Sequence, residues 1–515
     1  MKPNDTLLGK QHIGKDLRMQ VFKLLYTTLS GLLLVILLFS YMGNMWLSDR
    51  ICVDIAVLCG VVAVIYCIMD MSNRFVLLCF NVNYFLFLVS GLWLTLLEGG
   101  YPPAYLGANV RAASHTAHVL AISLLIVNLV FILMDKPPQA LMDKQAKKFT
   151  KEEKKQEPLP KLVEQIILAM LILCLVSKLV GAVIQYQVTS ASSYVDSYIT
   201  GFEKPFLVWM PESIFYFVLC LWLCTNPKKK PLLLLLAWVL VIEVIILLSG
   251  DRAEPICTLL LLCYYIYRRS KNEEDFFQIK KWHVALALVM VPLLIIALQT
   301  VKHTRVHESV EVSADMLMEF VEDQGVSAGV ISRAYVSRNT IKEIGGSSYT
   351  FGSLRNYLEQ NMASRVLLGI EVVKQNTKAA AFSGDSLGST IAYLWFPTSY
   401  FEGTGCGSSY IAEFFHDGGI GYLCFGSMAL GLLLIYFVRV LQKSHNVFSM
   451  AFVLLILKDI IIVSRTSTFY WLTNAFTVQN LLVLALLLLI THLARNKDKE
   501  GRRRESRNLN HAYGG

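Results

Sequence analysis

"LLLVILLFSYMGNMW", Leu32–Trp46, decides what kind of chain this is. It continues an apolar run that begins near residue 24 and meets no charge before Asp49. A secretory leader ends a short apolar core at a small-residue cleavage site. This run is too long and offers no such site, so it reads as a retained membrane span. Similar runs recur as far as residue 493 in a chain of 515 residues that is 55% hydrophobic and 17% charged. The mean hydropathy is +0.51. An ordinary globular domain and a soluble enzyme with one anchor are both excluded by that pattern. No alternating strand pattern appears, so the spans are helices. The expected fold class is all-α, a polytopic integral membrane protein.

Apolar segments of spanning length fall near 20–41, 51–69, 74–96, 115–134, 163–186, 205–225, 231–249, 255–267, 282–299, 418–440, 446–463 and 475–493, about twelve transmembrane helices. Basic residues in short loops set their direction. Eight lysines lie in 135–162, three in 226–230 and five basic residues in 268–281, with seven more after His492. All fall on one side of the twelve-span arrangement, which predicts cytoplasmic N- and C-termini. The expected organisation is N-terminal membrane helices (1–134), a basic cytoplasmic loop (135–162), central membrane helices (163–299), a large outward loop with re-entrant or interfacial helices (300–417), C-terminal membrane helices (418–493) and a basic tail (494–515). The large loop joins spans 9 and 10. Most of the eleven cysteines sit inside apolar runs and read as small buried hydrophobes rather than a disulfide framework.

Charges beside hydrocarbon are costly and need a partner or a task. "SGDRAEP" places Arg252 between Asp251 and Glu254 at the outer end of two spans, where it pairs locally or meets an anion. Glu212 and Glu243 are further interior polar groups. Arg465, in "IIVSRTSTFYW", falls on the same outer face, as do His303, Arg305, His307, Arg333, Arg338 and Arg355 of the large loop. Guanidiniums suit planar, two-pronged phosphate binding. In "GTGCGSSYIAEFFHDGGIGYLCFG", Gly403–Gly426, glycines 403, 405 and 407 permit left-handed backbone whose amides can cradle an anion. Ser408 and Ser409 offer helix-cap chemistry, and Glu413 follows one helical turn later. Glycines 418, 419 and 421 break the chain before the next span. No metal-ligand cluster, nucleotide-binding fingerprint or hydrolase elbow is present.

The Gly403–Gly426 stretch resembles the O-antigen polysaccharide polymerase family, the Wzy-type repeat-unit polymerases of bacterial envelopes. "IKEIGGSSYTFGSLRNYLE" (341–359) and "SGDRAEP" (249–255) are similar to the family's outer loop and to its glycine-x-arginine step after a span. The likeness runs from about 230 to 470; Cys406 and "HDGG" (416–419) depart from the family pattern. The resemblance implies a fold like that of the GT-C-like lipid-linked-sugar transferases, in the bacterial cytoplasmic (inner) membrane, with an active site facing the periplasm or exterior. It implies undecaprenyl-pyrophosphate-linked oligosaccharide as both donor and acceptor, contact with membrane lipids, and a chain-length regulator and flippase as pathway partners. No nucleic acid, no cofactor and no obligatory metal is expected.

On that reading Arg252 and Arg465 act in catalysis by neutralising the departing pyrophosphate. Arg305, Arg333, Arg338, Arg355, His303, His307, Gly403, Gly405, Gly407 and Ser408 bind substrate. Glu413 orients or deprotonates the attacking hydroxyl, or else fixes the loop. A ligase acting on the same lipid, and a flippase or transporter of it, are the alternatives.

Overall fold

The computed structural model describes residues 3–99, 104–106, 109–135, 159–191, 204–251, 253–272, 313, 315–344, 348–371, 373–444 and 446–512, with isolated positions between 276 and 300. Among them every regular element is helical. Eight helices are long and apolar enough to cross a membrane: Met19–Met42, Asp49–Met69, Met71–Glu98, Val110–Met134, Lys161–Ser190, Lys229–Ser249, Tyr410–Lys443 and Val478–Lys497. A ninth forms if Phe206–Ser213 and Phe215–Cys224, bent by 42° to each other, count as one. Pro211 lies inside the first of that pair and removes a helix donor just before the break.

Three of the twelve expected spans are not among these. The run at 255–267 lies in the helix Ala253–Asn272, which carries Glu254 at one end and Arg268 and Arg269 at the other. The run at 446–463 gives the 14-residue helix Val447–Ile460, after which the chain turns. The run at 282–299 falls largely outside the described residues.

The Val110–Met134 helix is the centre of the bundle, with nearly its whole circumference covered. Helices in lipid gain little from burying apolar surface against each other, so close backbone approach and polar contacts hold them. Both are present here. A Cβ at Gly431 would stand 2.9 Å from the Val127 carbonyl oxygen, so this glycine lets the Tyr410–Lys443 helix lie flush on the central one. Ser123 bridges the same pair, its Oγ 2.7 Å from the Tyr410 hydroxyl and 2.8 Å from Ser427 Oγ. Asn81 and Asn128 exchange amide hydrogen bonds of 2.8 Å in both directions. At one end of the bundle Arg74 Nε donates to Asp135 at 2.7 Å, and the Tyr66 hydroxyl donates to the same carboxylate at 2.6 Å.

A second polar knot ties the helices between 161 and 272. Lys178 Nζ lies 2.6 Å from Glu254 Oε1 and 3.2 Å from Glu212 Oε1, and Lys204 Nζ lies 2.7 Å from Glu212 Oε2. The Tyr216 hydroxyl reaches Glu254 at 2.6 Å and Glu243 at 3.1 Å. Thus the two interior glutamates singled out by sequence are both partnered, and so is Glu254 of "SGDRAEP". Asp251 caps the next helix, accepting from the Ala253 and Glu254 amides.

Candidate functional site

The Tyr410–Lys443 helix is broken within its third turn. Gly418 and Gly419 leave helical geometry, Gly419 with φ 67° and ψ −157°, a conformation that is essentially glycine's alone. The short rod before the break, Tyr410–Asp417, therefore ends at a cavity rather than running straight on into the span. Against that end lie the helices Gly329–Val336 and Arg338–Ile344 and the head of the central helix. A cavity of about 360 Å³ sits between them. Its wall includes Arg338 and Lys342 from one side, Phe415, His416 and Asp417 from the broken helix, and His115 from the central one.

The aromatic lining is continuous. His115 stacks on Tyr335 with ring centroids 4.1 Å apart and meets Phe415 at 4.3 Å. The Arg338 guanidinium lies 5.1 Å from the Tyr335 ring centroid. Tyr41, from the first helix, places its hydroxyl 2.9 Å from His115 Nδ1. Asp417 is fully engaged: it accepts from Ser348 Oγ (2.7 Å), the Tyr349 amide (3.1 Å) and the Thr350 amide (2.8 Å). Through this carboxylate the Ser348–Thr350 turn is moored to the glycine-rich stretch.

Glu413 is spent differently from an exposed base. It is 1% exposed, and its Oε1 accepts from Ser408 Oγ at 2.6 Å. Its Oε2 accepts from the Thr468 amide at 2.9 Å and from Thr468 Oγ1 at 2.7 Å. The side chain thereby binds the glycine turn to the segment after Ile460, and it is not on the cavity wall. Of its two expected roles, this geometry supplies the loop-fixing one. Gly403 and Gly407 adopt positive φ, at 90° and 68°, whereas Gly405 does not. The Ser408 amide donates to the Arg465 carbonyl at 3.4 Å, so that part of the turn is used internally.

The expected cations among the described residues do not gather at one point. Arg338 lines the cavity, and Lys342 joins it. Arg333 lies 4.8 Å from the Phe396 ring centroid, half-buried, and burial lowers its guanidinium from the usual pKa. Arg355 Nε donates to Asp385 at 2.6 Å, and Arg465 Nη1 donates to Gln324 at 2.9 Å. Arg252, His303, Arg305 and His307 lie outside the described residues. Among the described residues no group of three His, Cys, Asp or Glu side chains is arranged to hold a metal ion.

Sequence reading passed over His115, Tyr335, Lys342 and Thr468 as site residues. One signal was available: His115 and His118 head an apolar span, and ionisable side chains there mark function by default.

Helices long and apolar enough to cross a membrane, with a cavity where one of them is interrupted, define a multi-pass membrane protein. The family model for O-antigen polysaccharide polymerase Wzy matches residues 26–497, nearly the whole chain, and the protein belongs to that family. Neither the curated proteins nor the solved structures contain a match.

Proposed function

We propose that this protein joins oligosaccharide repeat units carried on undecaprenyl pyrophosphate into O-antigen or a similar surface polysaccharide. The cavity at the broken helix would be the reaction site. It would face away from the cytoplasm, in the bacterial cytoplasmic membrane, with both chain ends inside. The observation that carries this reading is the pairing of Arg338 and Lys342 on one cavity wall in a chain of the polymerase family. A lipid pyrophosphate leaving an anomeric carbon develops negative charge, and fixed cations at that place stabilise it in the transition state without reorganising. Arg338 has the fork for two phosphate oxygens; Lys342 supplies a point charge beside it. Arg252, in "SGDRAEP", and His303, Arg305 and His307, in the large loop, remain proposed contacts to the substrate. Arg333, Arg355 and Arg465 would act from the periphery, supporting the loop that carries the site.

The aromatic floor of Tyr335 and Phe415 suits the apolar face of a sugar ring. Membrane lipids would flank the spans. A chain-length regulator and a flippase would be the pathway partners, and a fold of the lipid-linked-sugar transferase kind would serve this chemistry.

The test is polymer formation by the full-length protein in liposomes with defined undecaprenyl-pyrophosphate repeats. Arg338→Ala should lower polymer per mole of folded protein by roughly 10²-fold or more, the scale of one lost transition-state donor. Unchanged turnover would remove the cavity from the reaction. Transfer of the repeats to a lipid A acceptor without lengthening would indicate a ligase, and transbilayer movement without bond formation a flippase. For orientation, a cysteine placed at exposed Asn339 should react with an impermeant thiol reagent from outside intact cells, and one at Lys443 only after permeabilisation.

A further inference from the structure

The cavity holds positive charge for a leaving group, yet the carboxylate on its wall, Asp417, and Glu413 one turn before it are committed elsewhere. Asp417 is saturated by three donors from the 348–350 turn, and Glu413 by Ser408 and Thr468. His115 and His416 belong to the cavity wall, and one ring nitrogen of each, His115 Nε2 and His416 Nδ1, is buried with no hydrogen-bond partner among the described residues. They differ in how firmly they are held. His416 is half-buried, with Tyr349 at 5.3 Å as its aromatic neighbour. His115 is 0% exposed and fixed by Tyr335, Phe415 and the Tyr41 hydroxyl.

We propose that His115 is the proton acceptor of the glycosyl transfer, with Tyr41 as its positioning residue. This rests on the polymerase reading and adds the identity of the base. The role requires the tautomer in which Nδ1–H donates to the Tyr41 oxygen 2.9 Å away, so that the Nε2 lone pair is left for the acceptor sugar. The acceptor O–H bond breaks and its proton goes to Nε2. The oxygen's electron pair forms the new bond to the anomeric carbon. The bond from that carbon to the phosphate oxygen breaks, and its electron pair leaves with the lipid pyrophosphate beside Arg338 and Lys342. The imidazolium then returns its proton to water.

Tyr335 explains why both ends of the reaction meet here, since its ring is in contact with the imidazole and with the Arg338 guanidinium. The proton acceptor and the cation are thus set on one aromatic plate. The titratable or charged groups that bear on the imidazole are Tyr41 from the first helix, Asp49 from the second acting through His118, His118 from its own helix, Tyr335 and Arg338 from the 329–344 pair, and His416 and Asp417 from the broken helix.

The experiment is polymer formation from undecaprenyl-pyrophosphate repeats by full-length protein in liposomes, followed across pH and expressed per mole of folded protein. His115→Gln should lower turnover by roughly 10²-fold or more and abolish the fall in rate on the acid side, where a neutral imidazole becomes protonated. Tyr41→Phe should fold, lose less activity and shift that acid limb, a change that a packing role for the ring would not produce. Ordinary turnover with the same acid limb in His115→Gln overturns the proposal. Should that variant not fold, an unmoved acid limb in Tyr41→Phe overturns it instead. Wild-type protein that consumes no lipid-linked repeat refutes the polymerase reading and the base assignment together. Wild-type polymer with an active His115→Gln variant refutes the histidine alone.

Discussion

Replacing Glu413 separates two roles that look alike in the sequence. Alanine at this position strands three donors: Ser408 Oγ, Thr468 Oγ1 and the Thr468 amide. A buried donor without a partner costs about 1–3 kcal/mol. The hydroxyls can rotate towards other acceptors and the amide cannot, so the sum comes to roughly 3–6 kcal/mol. That is a large share of the about 5–15 kcal/mol that holds a typical protein folded. Glutamine is different. Its carbonyl oxygen can keep both bonds from Thr468, and its NH₂ can donate to Ser408 Oγ, so the loss is about 1 kcal/mol. Thermal unfolding in detergent, with polymer yield per mole of folded protein, measures both effects. Glu413→Ala should lose abundance, thermal stability and activity together, and Glu413→Gln should keep turnover within a few-fold of wild type. A glutamine variant that is fully stable but about 100-fold slower would refute this reasoning and make Glu413 the proton acceptor.

Two further outcomes follow from the same geometry. Gly419→Ala should destabilise by about 1–3 kcal/mol and lower activity, because its backbone conformation excludes a Cβ; Gly421→Ala, where a Cβ meets open space, should be nearly silent in both assays. Arg74→Met should cost about 3–5 kcal/mol by leaving Asp135 buried beside Tyr66 without its guanidinium partner, although Lys23 still reaches the Asp135 backbone carbonyl. Asp135→Asn in the same chain should recover part of that loss in a thermal shift measurement, and additive losses would deny the pair its coupling.

The membrane class, the break at glycines 418 and 419 and the turn geometry at Gly403 and Gly407 were legible in the sequence, because each depends on a few adjacent residues. Length was less legible. The apolar run at 446–463 is long enough for a span, but its helix ends at Ile460. There the Asn83 amide takes the Ile461 carbonyl at 3.3 Å, and Thr468 is drawn to Glu413. Those bonds cross 378 and 55 positions of chain, and hydropathy carries no trace of them. The cavity is hidden for the same reason. His115 and Tyr335 touch because the central helix meets the helix Gly329–Val336, and no spacing rule joins residues so far apart. Nor does an arginine count show which guanidiniums meet: among the described residues Arg355 has the counter-ion Asp385, and Arg465 donates to Gln324.

The knot around Lys178 bears on how the protein is made. Synthesis delivers the helix Lys161–Ala191 to the membrane before either of the carboxylates that hold its lysine. A lone lysine at mid-helix costs about 2.5–3.5 kcal/mol to place at the bilayer centre. Until Glu212 arrives, 34 residues later, that helix has reason to linger at the insertion machinery or to sit displaced towards the interface. Glu254 then closes the knot from a helix made later still. The lysine is matched in full only when the last of these helices has joined the other two.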